Sequence, residues 1–314
     1  MKKLNNPHDK FLKETLSRKE NAVGFIQNYL PQEIVTMIDL DNIEIEKDSY
    51  ITKNLQEYFT DLLYKVIIKG EESYIYVLFE HKSYPDKLIG LQLLEYLIQC
   101  WRTKAKQKQA LPLVIPLVIY HGKTNWNIGL RFSEIIEPID NSLRKYIPDF
   151  EYILYDLSKY SDDEIVGTEE LKVMLNLMKY IYSENLLDKL REIFKILSHI
   201  SDTNLDYIST ITIYLMSTTE IEIKELAKIM TETISEKGGE IAMTTAQKIK
   251  KEGINEGINL GRMEGIKEGI KEGLKEGLKT TAQNLLNLGM TYNVIATATG
   301  LSIAEIEKLK SEIK

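Results

Sequence analysis

Two short apolar segments in the first third of the chain have the pattern of a β-hairpin. Leu62–Ile68 and residues 74–79 are rich in β-branched and aromatic residues, and the acidic, turn-forming residues 69–72 separate them. Runs of this length and composition, bounded by turn residues, are typical of strands. We therefore expect a hairpin over residues 62–79.

The segments around this hairpin predict helices and further strands. Apolar residues recur at helical spacing over residues 8–30, and a helix is expected over residues 87–108. Residues 34–45 are ambiguous, although the alternation at their end favours a strand. Leu113–Tyr120 is predicted to be a strand buried on both faces, in which Pro116 indicates an edge or a bulge. With a final strand over residues 152–157, these elements predict an α/β domain that ends near residue 160, followed by helices over residues 163–236.

Charged residues stand where the two hairpin strands begin and end. Asp61 opens the first strand, Glu80 closes the second, and Lys82 follows on the same side of an extended chain. The spacing of Asp61 and Glu80 suits a hairpin that brings them together. Two carboxylates and a lysine around a small space can hold a hard divalent cation and position a water beside it. The ordinary alternative is that these charges only mark the return of the chain to solvent.

Gln92 and Tyr96 extend this pattern into the following helix, because a spacing of four places both on one helix face. D-x18-ExK followed by Q-x3-Y resembles the PD-(D/E)xK nuclease superfamily, in the version whose core helix carries a QxxxY motif. Thr60 stands where the motif's name has Pro. More narrowly, PHDKFLKETL, FEHKS and PLVIPLVIYHG resemble the recombination-promoting nuclease family, a YhgA-like transposase group. The resemblance is strongest over residues 6–122.

The resemblance implies a restriction-endonuclease-like core and a Mg²⁺-dependent DNA endonuclease, with Mn²⁺ as the alternative ion. The implied catalytic residues are Asp61, Glu80 and Lys82. Both carboxylates, assisted by the backbone carbonyl of His81, would hold the ion. Lys82 would orient the attacking water or stabilise the developing charge. The implied biological role is DNA recombination, transposition or defence.

Four further residues belong to the same segments. Gln92 and Tyr96 are implied to support the site and to contact DNA. His8 and His121 each either line the cleft or make ordinary hydrogen bonds. Some relatives carry Gln at the position of Lys82, so the lysine here favours an active site. The rival hypothesis is a non-catalytic DNA-binding or self-assembling protein on the same fold.

The distribution of charge bears on whether DNA is a partner. The net charge is −7, but residues 1–125 are nearly balanced, with 17 Lys and Arg against 16 Asp and Glu. No acid lies between Glu95 and Glu134, and that interval contains a cation cluster of Arg102, Lys104, Lys106 and Lys108. These cations either neutralise DNA phosphates or stabilise the C-terminal end of a helix.

The compartment is predicted from cysteine use and from the hydropathy pattern. The one cysteine, Cys100, excludes an internal disulfide, and its apolar helical segment predicts a buried thiol. The N-terminal residues lack the apolar region of a signal peptide, and no run of about 18 apolar residues occurs. We therefore expect a cytoplasmic protein with no membrane partner.

Glycine recurs every four residues from Gly253 to Gly277, and Ile or Leu follows most of these glycines. Each interior glycine costs a helix about 1 kcal/mol relative to Ala. The segment is therefore either a flexible linker or a helix that packs along its glycine stripe, and the strict repeat favours packing and a homo-oligomer. Residues 280–310 predict short helices, with Thr291 and Ser302 as N-caps, that form a helix-turn-helix or an αα-hairpin.

Three units follow from these patterns: a nuclease-like domain over residues 1–160, a helical subdomain over 161–242, and a glycine-periodic oligomerisation tail with a helical hairpin over 243–314. Met243 stands at the last boundary. The upstream residues 237–240, Lys-Gly-Gly-Glu, can be encoded by a strong bacterial ribosome-binding sequence. This predicts a second, short product that starts at Met243. The alternative is that the two glycines are an ordinary loop breaker.

Overall fold

The computed structural model describes residues 6–45, 62–80, 85–122, 124–136, 140–199 and 205–312. The chain divides into two compact units, Lys2–Gln247 and Lys248–Lys314, with Met1 grouped with the second. The larger unit contains a five-stranded sheet and most of the helices. This mixed architecture confirms the predicted α/β class.

The sheet has its strands in sequence order, β1-β2-β3-β4-β5. The first three strands form an antiparallel meander, and β4 and β5 run parallel to β3. The strand bounds are β1 Glu44–Ile45, β2 Leu62–Ile68, β3 Glu71–Glu80, β4 Leu113–Tyr120 and β5 Ile153–Asp156. A parallel β3–β4 pair needs a crossover, and a long helix between the two strands provides it.

In sequence order, three of the described helices come before β1, one lies between β3 and β4, and the others follow β5. Short 3₁₀ turns lie between several of them. The helix bounds are α1 Pro7–Leu16, α2 Lys19–Tyr29, α3 Gln32–Val35, α4 Ile89–Lys106, α5 Glu169–Tyr180, α6 Leu186–Lys195, α7 Asp206–Thr218, α8 Ile223–Thr233, α9 Glu236–Asn287, α10 Tyr292–Thr299 and α11 Ile303–Glu312. None of the helices in these ranges combines the length and the apolar composition that crossing a membrane requires.

Alternate residues of the strands enter two separate hydrophobic clusters, because successive side chains of a strand point to opposite faces. Tyr64, Val77 and Ile119 belong to a large cluster with α1, α2 and the helices after the sheet. Leu63, Tyr76 and Val118 belong to a smaller cluster with α4, which also contains the buried Cys100. We call these two sides the helical-core face and the α4 face. The helical-core cluster draws residues from both sides of residue 160, and the division there stays a prediction.

A buried polar network joins the N-terminal helices to α5. The Arg18 guanidinium donates to Glu170 Oε1 at 2.7 Å, and Asn21 Nδ2 donates to Glu170 Oε2 at 2.7 Å. The Tyr207 hydroxyl donates to the Glu170 backbone carbonyl at 3.1 Å. Because a buried carboxylate is costly unless it is paired and hydrogen-bonded, this network fixes α1 and α2 against α5 and α7.

One member of the predicted cation cluster has a structural role instead. Lys104 is buried, pairs with Glu72 Oε1 at 3.0 Å and lies 4.8 Å from the centre of the Tyr74 ring. The Tyr74 hydroxyl and Lys104 lower the pKa of Glu72 to about 2. The long side chain of Lys104 reaches from α4 to the hairpin, and the sequence pattern cannot reveal such a contact. Arg102, Lys106 and Lys108 remain exposed, so the cluster available to a phosphate has three members.

The strand predictions agree with the structure, with one correction. The bounds of β2 and β4 match, whereas β3 is longer than its apolar run. The expectation that Pro116 marks an edge or a bulge is wrong, because β4 lies between β3 and β5 and its register with β3 is uninterrupted. Pairing with β5 begins only at Leu117, so Pro116 precedes the ladder in which its missing N–H would matter.

The smaller unit contains most of α9, followed by α10 and α11. Ala282, Ile295, Ile306 and Leu309 form its small buried cluster. Glycines in the left-handed region, Gly289 and Gly300, end α9 and α10. Ser302 caps α11 together with Glu305, since each side chain bonds the backbone N–H of the other. Thr291 precedes α10 without a side-chain cap bond.

Candidate functional site

Three parallel strands end at the same edge of the sheet. Glu80, the last residue of β3, is in register with Tyr120 of β4, and Tyr120 is in register with Asp156 of β5. The carboxyl ends of parallel strands in α/β folds commonly form ligand sites. We call this side of the sheet the carboxyl edge.

The antiparallel strand β2 begins at the carboxyl edge. Its first residue, Leu62, is opposite Val77 of β3. The predicted catalytic residues Asp61 and Lys82, and His81 with its carbonyl, lie outside the described residues. For Glu80 the structure gives the backbone position. The described strand ends next to these residues, Leu62 on β2 and Glu80 on β3, lie at one edge of the sheet.

Gln92 and Tyr96 lie on α4, one turn apart, as their spacing predicts. Both are half-buried. The Tyr96 ring stacks on the Tyr76 ring, with centroids 3.4 Å apart and planes 7° apart. Tyr76 lies four residues before Glu80 on β3. This contact holds one face of α4, the face with Gln92 and Tyr96, over β3. β3 is the strand that ends at the carboxyl edge with Glu80.

His8 and His121 come together on the helical-core side of the same edge. His121 directly follows Tyr120, and its ring centroid lies 4.9 Å from that of His8, at the start of α1. Both rings are buried, and the neighbouring Asp9 is buried too. Two segments separated by more than a hundred residues thus bring titratable side chains to the end of β4.

Two tyrosines from the helices after the sheet complete this cluster. The Tyr214 hydroxyl is 2.9 Å from His8 Nδ1, and the Tyr182 hydroxyl is 3.2 Å from His8 Nε2. The Tyr182 ring is stacked on that of His121, with an angle of 13° between the planes. Burial raises the pKa of both tyrosines above its ordinary value, and most strongly that of Tyr214. The cluster therefore links α1, the end of β4 and the helical region.

Asp156 ends β5 as a buried carboxylate, 3% exposed. Its Oδ1 accepts hydrogen bonds from the backbone N–H and the hydroxyl of Ser158, and Lys159 lies 3.8 Å from Oδ2. These contacts explain Asp156 as the cap of the 3₁₀ turn Leu157–Lys159. It adds a fixed acidic group beside β4.

A metal site is not complete within the described part of the chain. Among those residues, no three His, Cys, Asp or Glu side chains are close enough together to hold an ion. The predicted ligands Asp61 and the His81 carbonyl lie outside the described residues, and carboxylate and carbonyl oxygens are the donors that Mg²⁺ prefers.

Sequence patterns alone did not indicate Asp9, Tyr182 or Tyr214. Asp9 adjoins His8 within PHDKF, which was a usable signal. The two tyrosines stand in ordinary amphipathic helical segments, and their partners are far away in sequence. Such contacts have no local pattern from which they could be found.

Comparison with known proteins identifies the family. The sequence profile described as "Putative transposase, YhgA-like" matches residues 6–207. The chain is 32% identical over 305 residues to the recombination-promoting nuclease RpnC of Escherichia coli K12, covering 96% of each chain. The chain belongs to this YhgA-like family of recombination-promoting nucleases. No solved structure matches the chain.

Other relatives carry names of both active and inactive proteins. The chain is 26% identical to the recombination-promoting nuclease RpnA of Escherichia coli K12, over 80% of this chain and 86% of that one. It is also 26% identical to the inactive recombination-promoting nuclease-like protein RpnE of the same strain, over 79% of this chain and 83% of that one. Family membership alone therefore does not decide whether this protein is an active nuclease. That question depends on the site residues.

Proposed function

We propose that the protein is a metal-dependent DNA endonuclease of the PD-(D/E)xK type, which hydrolyses phosphodiester bonds. Its role would lie in DNA recombination, transposition or defence. The names of the relatives RpnC and RpnA support a nuclease. The name of the inactive relative RpnE keeps open the alternative, a non-catalytic DNA-binding or self-assembling protein.

The observation that carries the proposal is the strand register at the carboxyl edge. Because Leu62 is opposite Val77, the chain enters β2 close to where β3 ends at Glu80. Leu63 on β2 and Tyr74 and Tyr76 on β3 contact the α4 face, and the period of two along a strand predicts the same face for positions 61 and 80. The pattern thus supports a site on the α4 face, where Gln92 and Tyr96 lie.

In this proposal Asp61, Glu80 and the His81 carbonyl hold Mg²⁺ or Mn²⁺. When bound, the ion polarises the scissile phosphate and lowers the pKa of the attacking water. Lys82 orients that water or stabilises the negative charge that develops on the phosphate. A lysine suits this position because it is a compact cation with three rotatable donors.

DNA is the proposed partner, bound across the carboxyl edge. The exposed cations Arg102, Lys106 and Lys108 lie near the end of α4, where Lys104 pairs with Glu72 at the start of β3, so a phosphate that they neutralise would lie away from the carboxyl edge. Gln92 and Tyr96 would support the site and contact the DNA from α4. We propose that the protein acts in the cytoplasm.

Metal removal tests the proposal directly. With Mg²⁺ or Mn²⁺, purified protein is expected to relax or linearise supercoiled plasmid, and EDTA is expected to stop the reaction because the carboxylates alone cannot stabilise the phosphate charge. Gel analysis of a time course measures the rate, and returning Mg²⁺ in excess over EDTA controls for unfolding. Cleavage that persists in EDTA would contradict metal dependence, and no cleavage with either ion would favour the non-catalytic alternative.

The tail is proposed to form a homo-oligomer. Helix α9 is continuous through the seven glycines. Apart from the adjacent residues and the nearby backbone of the helix, no described atom lies within 4 Å of the position that a Cβ atom would take at any of these glycines. Its apolar stripe is exposed, with Ile258 at 63% and Leu274 at 64%. A repeat of four drifts by about 40° per repeat on a helix of 3.6 residues per turn, which favours partners that wrap right-handedly. A short product starting at Met243 would contain this stripe and could join the assembly.

Removing the tail is expected to lower the oligomeric state. A chain that ends at Lys250 lacks the glycine stripe and the exposed Ile and Leu residues. Without a partner this segment has little reason to form a helix, because each glycine costs the helix about 1 kcal/mol relative to Ala. Light scattering coupled to size-exclusion chromatography measures the mass of both proteins. A full-length chain carrying Ile258→Glu and Leu274→Glu is the matched variant, because it keeps the length and places two charges within the apolar stripe. Equal stoichiometry in all three proteins would mean that the tail is not the contact.

A further inference from the structure

One face of α4 points away from the sheet and carries a row of exposed apolar side chains. Leu88, directly before the helix, and Leu91 and Ile98 within it are 60%, 40% and 36% exposed. Glu95 and Arg102 are exposed on the same face, because residues three and four apart lie one above the other on a helix. Single exposed apolar residues are ordinary, whereas a contiguous row along a helix indicates contact with another protein. We call these five residues the outer row of α4.

The two charges of the outer row favour a second copy of this chain as its occupant. Glu95 and Arg102 stand seven residues apart, so each lies about 5 Å along the helix from a point just after Ile98. Around a two-fold axis through that point, an antiparallel α4 pair brings Glu95 of each copy opposite Arg102 of the other. A parallel pair would instead place like charges opposite each other, which weakens association. Apolar residues and an acid make the row a poor surface for DNA phosphates.

The ends of the outer row also match in the antiparallel direction. The same axis places Leu88 and Leu91 of one copy opposite the C-terminal end of α4 in the other. Trp101 Nε1 donates to the Pro112 carbonyl at 2.9 Å, which holds the segment before β4 beside that end. Leu111 in this segment is 60% exposed. It therefore offers an apolar surface to Leu88 and Leu91 of the second copy.

The direction of α4 decides what the pairing brings to the carboxyl edge. Helix α4 runs back along β3 from that edge, since Tyr96 is stacked on Tyr76 and the end of α4 reaches the start of β3. The helix rises about 8 Å from Tyr96 back to Leu91, and the strand rises about 13 Å from Tyr76 to Glu80. Leu91 is therefore within about 6 Å of the level of Glu80. A residue that lies opposite Leu91 is near the carboxyl edge.

We propose that α4 pairs antiparallel with α4 of a second copy, and that Lys106 and Lys108 of each copy bind DNA phosphates at the carboxyl edge of the other. The axis places Lys106 opposite Leu91, and Lys108 opposite Ile89, the first residue of the helix. These lysines, which lie away from the carboxyl edge of their own chain, thus extend the DNA-binding surface of the second copy. Their role in DNA binding rests on the proposed nuclease function, whereas the α4 pair does not and is separate from the tail contact.

Disulfide crosslinking of the full-length protein tests the pair and its direction. Ile98→Cys stands next to the two-fold axis, so oxidation with copper–phenanthroline is expected to give a crosslinked dimer on a non-reducing gel. Leu91→Cys is the matched variant and should give no dimer, because the two copies of position 91 are about 22 Å apart along an antiparallel pair. The wild type, whose Cys100 is buried, gives the background. No dimer in Ile98→Cys, or a dimer in Leu91→Cys, would overturn the pairing.

Charge reversal tests the contact between Glu95 and Arg102. The variants are made in the full-length chain with Ile258→Glu and Leu274→Glu, so that the tail contributes less to association. Glu95→Arg or Arg102→Glu alone should raise the dimer dissociation constant at least about tenfold, since like charges then meet twice. Both together should restore it to within about threefold, and Arg144→Glu, which changes an exposed residue of a 3₁₀ turn, should leave it unchanged. Sedimentation velocity measures these constants, and reversals without effect or without rescue would contradict the pair.

Mixed dimers test the role of the lysines. Lys106→Ala with Lys108→Ala should weaken binding of a labelled duplex, measured by fluorescence anisotropy in Ca²⁺, about tenfold and lower the salt slope by about 2, because two phosphate contacts are lost. This variant keeps the proposed catalytic residues, whereas Asp61→Asn keeps the lysines. Because the lysines act across the pair, a mixture of the two proteins should cleave plasmid faster than the sum of the separate reactions. A rate equal to the sum would mean that the lysines do not act on the second copy.

The outcomes separate this inference from the proposed function. If the wild type cleaves DNA but Ile98→Cys forms no dimer, the inference is overturned and the nuclease stands. If Ile98→Cys forms a dimer and the double reversal restores association in a protein that does not cleave, the pair stands and the catalytic proposal is lost. Weaker duplex binding by the lysine variant would then still assign Lys106 and Lys108 to the DNA surface, and unchanged binding would remove them from it.

Discussion

Asp61→Asn is expected to reduce DNA cleavage at least about 100-fold, the scale on which single groups that stabilise a transition-state charge act. The substitution keeps the volume of the side chain and removes the negative charge that would hold the divalent ion. Glu80→Gln should have an effect of the same size for the same reason. Lys82→Ala should also abolish activity, because it removes the cation that orients the water or stabilises the developing charge. Initial rates of plasmid relaxation in Mg²⁺ measure all three.

Substitutions of exposed residues of the same charge, away from the proposed site, separate catalysis from general charge effects. Glu71→Gln changes an exposed acid at the opposite end of β3 from Glu80, and Asp41→Asn changes an exposed acid in the 3₁₀ turn before β1. Lys87→Ala removes an exposed lysine before α4. All three controls should keep wild-type rates, and thermal unfolding should be unchanged in the six variants. Full activity in Asp61→Asn would refute the site assignment.

The sheet was predictable where side-chain polarity and backbone pairing coincide. β4 matches its apolar run because Pro112, which has no N–H to donate to a ladder, precedes Leu113, and the polar His121 follows Tyr120. β3 begins earlier than its apolar run because ladder pairing uses backbone groups, so Ser73 pairs with Val66 and Glu71 with Ile68 despite their polar side chains. The helix expected over residues 87–108 is shorter in the structure, where Lys108 has a φ of 58° that ends helical geometry.

The candidate site was only partly predictable, for a similar reason. Spacing along one strand or one helix is local, so Glu80, Gln92 and Tyr96 could be placed from the sequence. The contact between His8 and Tyr214 joins α1 to α7, and the contact between Lys104 and Glu72 joins α4 to the hairpin. Such pairs depend on how helices pack on the sheet, which no local period encodes. The sequence therefore groups Lys104 with cations that either neutralise phosphates or stabilise the end of a helix, although it is the ion-pair partner of Glu72.

The packing of α1 and α2 on the later helices depends on one buried carboxylate. The Glu170 side chain is 8% exposed and that of Arg18 is 23% exposed, and the two are 2.7 Å apart. Arg18 also contacts Asp206, which is 67% exposed. Asn21 donates to the second oxygen of Glu170. Because α1 carries His8, the same network also supports the cluster at the carboxyl edge.

Arg18→Met is expected to destabilise the folded protein by about 3 kcal/mol, because it leaves the buried Glu170 carboxylate without its cation. For a unit of this size the melting temperature should fall by about 6–12 °C. Arg191→Met is the matched control, since the Arg191–Glu232 pair has exposures of 42% and 44%. Such exposed pairs contribute about 0–1 kcal/mol.

Adding Glu170→Gln to Arg18→Met should restore part of the lost stability, because the neutral amide no longer needs a cation while its oxygen can still accept from Asn21. Denaturant unfolding of the two single variants and the double variant gives the coupling between the residues. A cost for Arg18→Met no larger than that for Arg191→Met would mean that Glu170 is solvated in solution. The link between α1 and α5 would then come from apolar packing, and the position of His8 would depend on Phe11 and Leu12 rather than on this ion pair.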